Sequence, residues 1–417
     1  MSREFQWRCT VTTVSEGRQR NEVSYDRPVD CDNHYYEKID AFTRYLDPKY
    51  RQRGVEIITR GTHTELLAGG NLFEFVPNPT FDPVIVPGCL DALFRGEIPE
   101  GVDPRSLSKV EPLNPAYQDR DLRLEMIEKQ QMSGVILLPT LACGVEEALK
   151  HDIPATMASI TAFNKWLDED WGYAYQGRIF ATPMLSFADP DEAIGEIDRL
   201  IERDVRIVSV RPAPIPAGHG TSNAFGDPRY DEVWTKLEKS GIAVAFHLSD
   251  SGYTEFLGAA WGGPPKFAPF RYNDPLASLV VSDRAIHDTI ASLVIGGVFT
   301  RHPKLRVASI ENGSDFVHLL LKRLRKLANQ APWLFAEDPG DTLCRHLWVS
   351  PYYEDDVPEL VEVMGSERVM FGSDWPHGEG LETPLDFIHE LEGFGTAEID
   401  QIMRTNVLDL MGVDYAR

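Results

Sequence analysis

A chain of 417 residues in which 41 Lys and Arg face 65 Asp and Glu carries a formal charge of −24, and so acidic a surface repels phosphate backbones and anionic lipid. Nucleic-acid and membrane partners are therefore excluded. With 42% hydrophobic and 25% charged residues the composition is that of a globular protein with a real core, which rules out disordered and fibrous classes. No stretch approaches the ~18 apolar residues of a membrane span and residues 1–20 hold no signal-type apolar core, so a cytoplasmic location is expected. The five cysteines, Cys9, Cys31, Cys89, Cys143 and Cys344, are odd in number and never spaced CxxC, which indicates neither a disulfide framework nor a thiolate zinc site.

In chain order, eight short runs rich in Val and Ile recur, each long enough for one buried parallel strand: 28–32, 134–140, 178–185, 205–212, 242–248, 306–311, 346–353 and 368–374. Amphipathic stretches at 189–204, 227–241, 314–330 and 357–367 lie between them, several opened by Asp or Ser in the N-cap position and closed near Gly. Regular alternation of strand and helix predicts an α/β protein, a (β/α)8 TIM barrel rather than an open doubly wound sheet. Two regions stand outside the repeat. Residues 1–27 read as an N-terminal extension with a possible hairpin, and 52–115 reads as a long inserted loop over one face of a barrel domain spanning 28–417.

In a barrel the C-terminal ends of the strands share one mouth, so the polar groups found there are the candidates for chemistry. Asp32, Asn33 and His34 end the first run, Arg211 the fourth, His247 the fifth, Glu311 and Asn312 the sixth, and Asp374 the eighth, with His377 just beyond. Asp32 and His34, two apart, project to one side of an extended chain. With His247 and Asp374 they supply the mixture of imidazole and carboxylate that suits a catalytic Zn2+ or Mn2+ with an open position. Singly each signal is weak, because an Asx-rich string ordinarily makes a turn and a lone histidine after an apolar run is more often a buried, hydrogen-bonded one. Their joint placement at strand ends carries the expectation. Trp261, Phe267, Phe270 and Tyr272, in the loop after His247, either wall a ring-binding pocket or pack that loop down.

The strings Val29-Asp30-Cys31-Asp32-Asn33-His34-Tyr35-Tyr36-Glu37, Gly296-Gly297-Val298-Phe299-Thr300-Arg301-His302-Pro303 and Met370-Phe371-Gly372-Ser373-Asp374-Trp375-Pro376-His377 resemble amidohydrolase family 2, the branch with aminocarboxymuconate-semialdehyde decarboxylase, resorcylate-type decarboxylases and sugar lactonases. The resemblance covers residues 28 to 415 outside the inserted loop. It implies that Asp32, His34, His247 and Asp374 hold one divalent transition metal, Zn2+ first, with Mn2+ or Fe2+ as alternatives. Two-metal members of the wider superfamily use a carboxylated lysine at the fourth strand, where this chain has Arg211. Decarboxylase members place a histidine at the end of strand six, where this chain reads Ser309-Ile310-Glu311-Asn312-Gly313.

Four further roles follow. Glu311 acts as acid or base if burial raises its pKa. Arg211 clamps a substrate carboxylate or forms an ion pair with Asp374 or Glu311. Glu37 and Asn312 stand behind the ligands, Glu37 as an acceptor for a ligand histidine or as a helix cap. His377 faces the mouth or orients its loop. The expected activity is hydrolysis of a small organic acid, amide or lactone, a ring-derived catabolic intermediate, through a metal-activated water with Asp374 taking the proton. The alternative is a non-oxidative decarboxylase of an aromatic or muconate-type acid on the same metal, with Glu311 or His377 as proton donor. A mere binding scaffold is disfavoured, since buried carboxylates without a cation are costly. The expected partners are a small-molecule substrate and copies of the same chain, in a homodimer or higher homo-oligomer.

Overall fold

Seven of the eight apolar runs form hydrogen-bonded parallel strands: β1 (Val29–Tyr35), β2 (Gly134–Pro139), β3 (Ile179–Ala181), β4 (Ile207–Val210), β5 (Ala243–His247), β6 (Val307–Ile310) and β7 (Leu347–Val349). The computed structural model describes residues 25–415 apart from 62, 74, 77–79, 265–274 and 282. The expected hairpin within 1–27 therefore lies almost wholly outside the described residues, as do Phe267, Phe270 and Tyr272. The protein is α/β, with β1, β2 and β3 in one parallel sheet and β4, β5, β6 and β7 in another. Parallel bridges join Met184 to Ser209, Val349 to Val369 and Asn33 to Trp375. The eighth run thus lies between β7 and β1, where Met370 N–H donates to Val349 O (2.8 Å) and Cys31 N–H to Phe371 O (3.0 Å).

Strand residues divide between two apolar layers with period two, as buried strands require. Leu137, Val208, Val210, Val244 and Phe246 belong to the larger cluster, which also takes in helix residues such as Phe163, Ile197, Leu237 and Leu320. Ile136, Leu138, Ile207, Ala243 and Ala245 belong to the smaller one on the opposite strand face. Some helices begin where acidic caps predict. Asp189 accepts from the N–H groups of Asp191 and Glu192 ahead of the helix Pro190–Glu202. Ser314 departs from the expectation: its hydroxyl donates to Asp355 (2.9 Å) and makes no cap bond.

The inserted region is not the plain loop expected. Val55–Arg60 and His63–Ala68 pair antiparallel, Asn71–Leu72 adds a third strand, and Val84–Ile85 pairs with Val110–Glu111. The signal was present as a Val55–Ile57 alternation running into Gly61, whose φ of 66° suits the turn. Val55, Ile57, Leu66 and Ala68 pack into the larger core. Among the described residues no helix is long and apolar enough to cross a membrane.

Candidate metal centre

The ends of β1, β5, β6 and the eighth run converge. The β1–β2 register slips between Asp30 and Asn33, a bulge that takes the Asp32 N–H out of the ladder and leaves it to the Asp30 carboxylate (3.0 Å). His34 Nε2 then lies 3.2 Å from Asp32 Oδ1, 3.3 Å from Asp374 Oδ1 and 3.9 Å from Glu311 Oε2. His247 Nε2 lies 2.8 Å from Glu311 Oε2 and 3.7 Å from Asp32 Oδ1. The donor atoms of Asp32, His34, His247 and Glu311 all fall within 4.8 Å of one another, and a second such group comprises His34, Asp374 and His377. The four residues named from strand ends are thus brought together, with Glu311 and His377 beside them.

Burial dominates the electrostatics. It pushes His34 down to about 3, assisted by the His377 charge. Burial acts the same way on His247, but Asp32 and Glu311 outweigh it and lift that imidazole to about 10. Asp374 is held well above the carboxyl range by burial, then by Glu311, Glu379 and Asp32. Among the described residues three converging carboxylates are compensated only by imidazoles, and His34 Nδ1, His247 Nδ1 and His247 Nε2 have no hydrogen-bond partner. Such a donor set fits a divalent cation, because burying unpaired carboxylates otherwise costs several kcal/mol each.

Both carboxylates that follow strand ends have left-handed backbones, with φ 56° at Glu311 and 54° at Asp374. That conformation is uncommon for non-glycine residues and is found where a site holds it in place. At Asp374 the holding group is Asp30, which sequence reasoning missed. Asp30 accepts from the N–H groups of Asp32 and Ser373 (3.0 Å each), from Ser373 Oγ (2.5 Å) and from Asn33 Nδ2 (2.9 Å). Burial raises its pKa to about 7, with Ser373 and its other donors opposing. Asn33 Oδ1 in turn accepts from Arg123 Nη1 (2.6 Å), whose Nη2 donates to His34 O (2.7 Å). The available signals were slight: Asp30 shares the period-two spacing of Asp32 and His34, and Arg123 shares a helix face with buried Ile127.

The other expected roles resolve differently. Arg211 is corrected as a clamp: it is buried, and its donors go to Glu146 (3.1 Å), Glu147 (2.6 Å), Asp250 O (3.2 Å) and Pro214 O (3.0 Å). Its ion pairs are thus with Glu146 and Glu147, not with Asp374 or Glu311. Glu37 is likewise corrected, since it reaches no ligand histidine; its Oε1 accepts from Leu141 N–H (2.8 Å) and Ala142 N–H (3.1 Å) and so caps the turn after β2. Asn312 Nδ2 donates to Phe246 O (2.9 Å) and Ile310 O (2.8 Å), bracing the ends of β5 and β6. His377 faces the mouth, with Nδ1 2.6 Å from Asp374 Oδ1, Nε2 3.0 Å from Thr140 Oγ1, and its ring 4.1 Å from that of His34.

Gly372 permits the approach of the eighth run to β1. A Cβ there would lie 2.4 Å from Ser350 Oγ and 2.6 Å from Asp32 Cβ. Gly372→Ala is expected to cost about 1–3 kcal/mol in thermal unfolding, as overpacking does, and to weaken divalent-metal binding in titration as Asp32 is displaced. Unchanged melting and unchanged metal affinity would count against this account of the close approach.

A family model described as amidohydrolase matches residues 142–412. The chain is similar to 2-amino-3-carboxymuconate-6-semialdehyde decarboxylase of Dictyostelium discoideum, with 25% identity over 194 residues, 45% of this chain and 50% of that protein. It spans about half the length of that relative. A solved amidohydrolase of Mycobacterium avium subsp. paratuberculosis K-10 is 54% identical, with a TM-score of 0.88 over 93% of this chain and 98% of that one. A dihydroxybenzoic acid decarboxylase of Polaromonas sp. JS666, solved with manganese and 2-nitroresorcinol, shares the fold at a TM-score of 0.57 and 14% identity over 94% of this chain and 98% of that one.

Proposed function

The chain belongs to the amidohydrolase family, and from that premise we propose that it is a decarboxylase of a phenolic or muconate-type carboxylic acid working at one divalent metal. We also read residues 28–417 as one closed (β/α)8 barrel domain with 52–115 inserted; the three bridges that lead from β3 to β4, from β7 to the eighth run and back to β1 support closure. Asp32, His34, His247 and Asp374 would hold the metal. A divalent ion there supplies Lewis-acid attraction for substrate oxygens. The mixed carboxylate and imidazole donor set accommodates Mn2+ as well as the Zn2+ first expected, and manganese is the metal of the Polaromonas enzyme.

One observation carries the choice of decarboxylation over hydrolysis. Thr140 Oγ1 donates to Tyr35 O (2.9 Å), so its oxygen faces His377 Nε2 as an acceptor, which places a hydrogen on Nε2. The 2.6 Å contact between His377 Nδ1 and Asp374 Oδ1 then needs a second hydrogen, carried by nitrogen or by oxygen. The pair therefore stores one transferable proton at the mouth. Decarboxylation consumes one: it adds to the carbon bearing the carboxylate, the bond to that carboxylate breaks, its electrons return to the ring or diene, and CO2 leaves. His377 thus supplies the imidazole that Glu311 does not. Glu311 in place of a strand-six histidine remains the one feature that favours hydrolysis.

The test is to incubate Mn2+-loaded protein with hydroxybenzoic and muconate-type acids, and with their amides and lactones. CO2 released in step with the decarboxylated product is expected from the acids. Turnover of an amide or lactone, with no CO2 from any acid, would return the chain to the hydrolases.

A further inference from the structure

We propose that Glu311 is itself a ligand of the metal, bound in the cluster with Asp32, His34 and His247 and beside the Asp374 carboxylate. The proposal rests on the metal reading above and extends it to a residue that the family resemblance gives no ligand role.

Spacing is the first argument. Metal bonds of ~2.1 Å place adjacent ligand atoms of an octahedral site ~3.0 Å apart. The four contacts linking His34 and His247 Nε2 to Asp32 Oδ1 and Glu311 Oε2 run from 2.8 to 3.9 Å and straddle that value. Asp374 Oδ1, 3.3 Å from His34 Nε2, fits the same spacing and also meets His377 Nδ1 at 2.6 Å.

Orientation is the second. His247 Nε2 is 2.8 Å from the Glu311 carboxylate and yet makes no hydrogen bond. A carboxylate held that close to a buried imidazole nitrogen, without donor geometry between them, is arranged as two electron-pair donors facing a common point.

The backbone is the third. Glu311 is fixed in the left-handed region, where φ is 56°, by neighbours on both sides. Tyr352 Oη donates to Glu311 O (3.1 Å), and Asn312 Nδ2 is tied to the carbonyls of Phe246 and Ile310. The next residue, Gly313, has φ 68°, and a Cβ on it would come within 3.0 Å of the Tyr352 ring. A segment locked so closely aims one side chain, and the carboxylate it aims points at the ligand nitrogens. An acid-base role would instead call for a carboxyl turned to the substrate. With Glu311 as a ligand, the proton is left to His377 and its contact with Asp374.

The experiment is Mn2+ titration of metal-free wild type and Glu311→Gln by calorimetry, with visible spectra of both after Co2+ substitution. The glutamine is nearly isosteric and loses only charge and donor strength. Its Mn2+ affinity is expected to fall at least about tenfold, the lower bound for perturbing residues around a metal, with a changed Co2+ band. Tyr352→Phe, which frees the Glu311 carbonyl and leaves the carboxylate intact, is expected to weaken binding less while keeping the wild-type melting temperature, and it serves should Glu311→Gln fail to fold. Affinities within about twofold of wild type and superposable Co2+ spectra for the variants would overturn the ligand role while leaving the metal enzyme standing. Failure of the wild type to bind any divalent ion would remove both readings.

Discussion

Replacing His247 by alanine is expected to abolish metal binding and, with it, decarboxylation, while the protein stays folded. The imidazole sits at the end of β5, is 2% exposed, and faces Glu311 at 2.8 Å and Asp32 at 3.7 Å. Neither of its nitrogens has a hydrogen-bond partner among the described residues, so its removal takes away only its charge contacts with Glu311 and Asp32. What it leaves is a small polar cavity that water can fill, lined by carboxylates now short of one imidazole. Loss of residues that merely support a metal site costs about 10–100-fold in affinity, so loss of a ligand should exceed that range. Elemental analysis of wild type and variant purified without added metal gives the answer. About one equivalent of transition metal in the wild type and a trace in a variant of similar melting temperature is the expected pair of results. Equal and small amounts in both would mean that the convergence of Asp32, His34, His247 and Asp374 serves something other than a metal.

That convergence was readable in the chain because three regularities coincide. Buried parallel strands appear as continuous Val and Ile runs, side chains alternate along them, and the residues that end them share one mouth. His34 and His247 follow from those rules alone. The partners of Arg211 do not. Glu146 and Glu147 lie in the short helix Val145–Ala148, where acidic residues are ordinary company for a helix N-terminus, and nothing local tells that they turn inward to an arginine 65 and 64 residues away. Glu37 was misread for a similar reason: a carboxylate three residues past a ligand satisfies backbone N–H groups of the turn at Leu141 and Ala142, a pairing set by where β2 ends beside β1. Periodicity tells which face a residue is on. It does not tell which neighbour will be there.

Arg123 illustrates the same limit and leads to the second large effect. Arg123→Leu is expected to destabilise the protein by about 3–5 kcal/mol, as does removal of one member of a buried charged network. The guanidinium is fully buried and, among the described residues, has no carboxylate in contact. It donates to Ala116 O (2.8 Å), Asn33 Oδ1 (2.6 Å) and His34 O (2.7 Å), and it lies over the Trp375 ring at 4.7 Å. Burial pulls its pKa down to about 9. The nearest compensation is Asp30, reached through the Asn33 amide, which accepts from Arg123 on one side and donates to Asp30 on the other. Arg123→Lys should not rescue the loss, because one ammonium cannot reach three acceptors spread in a plane or lie flat on an indole. If the amide couples the two charges, Asp30→Asn in the Arg123→Leu background should cost less than it does alone, with a coupling of about 1–3 kcal/mol in a double-mutant cycle read by denaturant unfolding. Strict additivity would show that Arg123 acts by packing and carbonyl bonding alone. Coupling would place the spacing of Asp32, His34 and Asp374 under the control of a charge pair buried beneath them, so that the same cycle read by metal titration should show a coupling of the same sign.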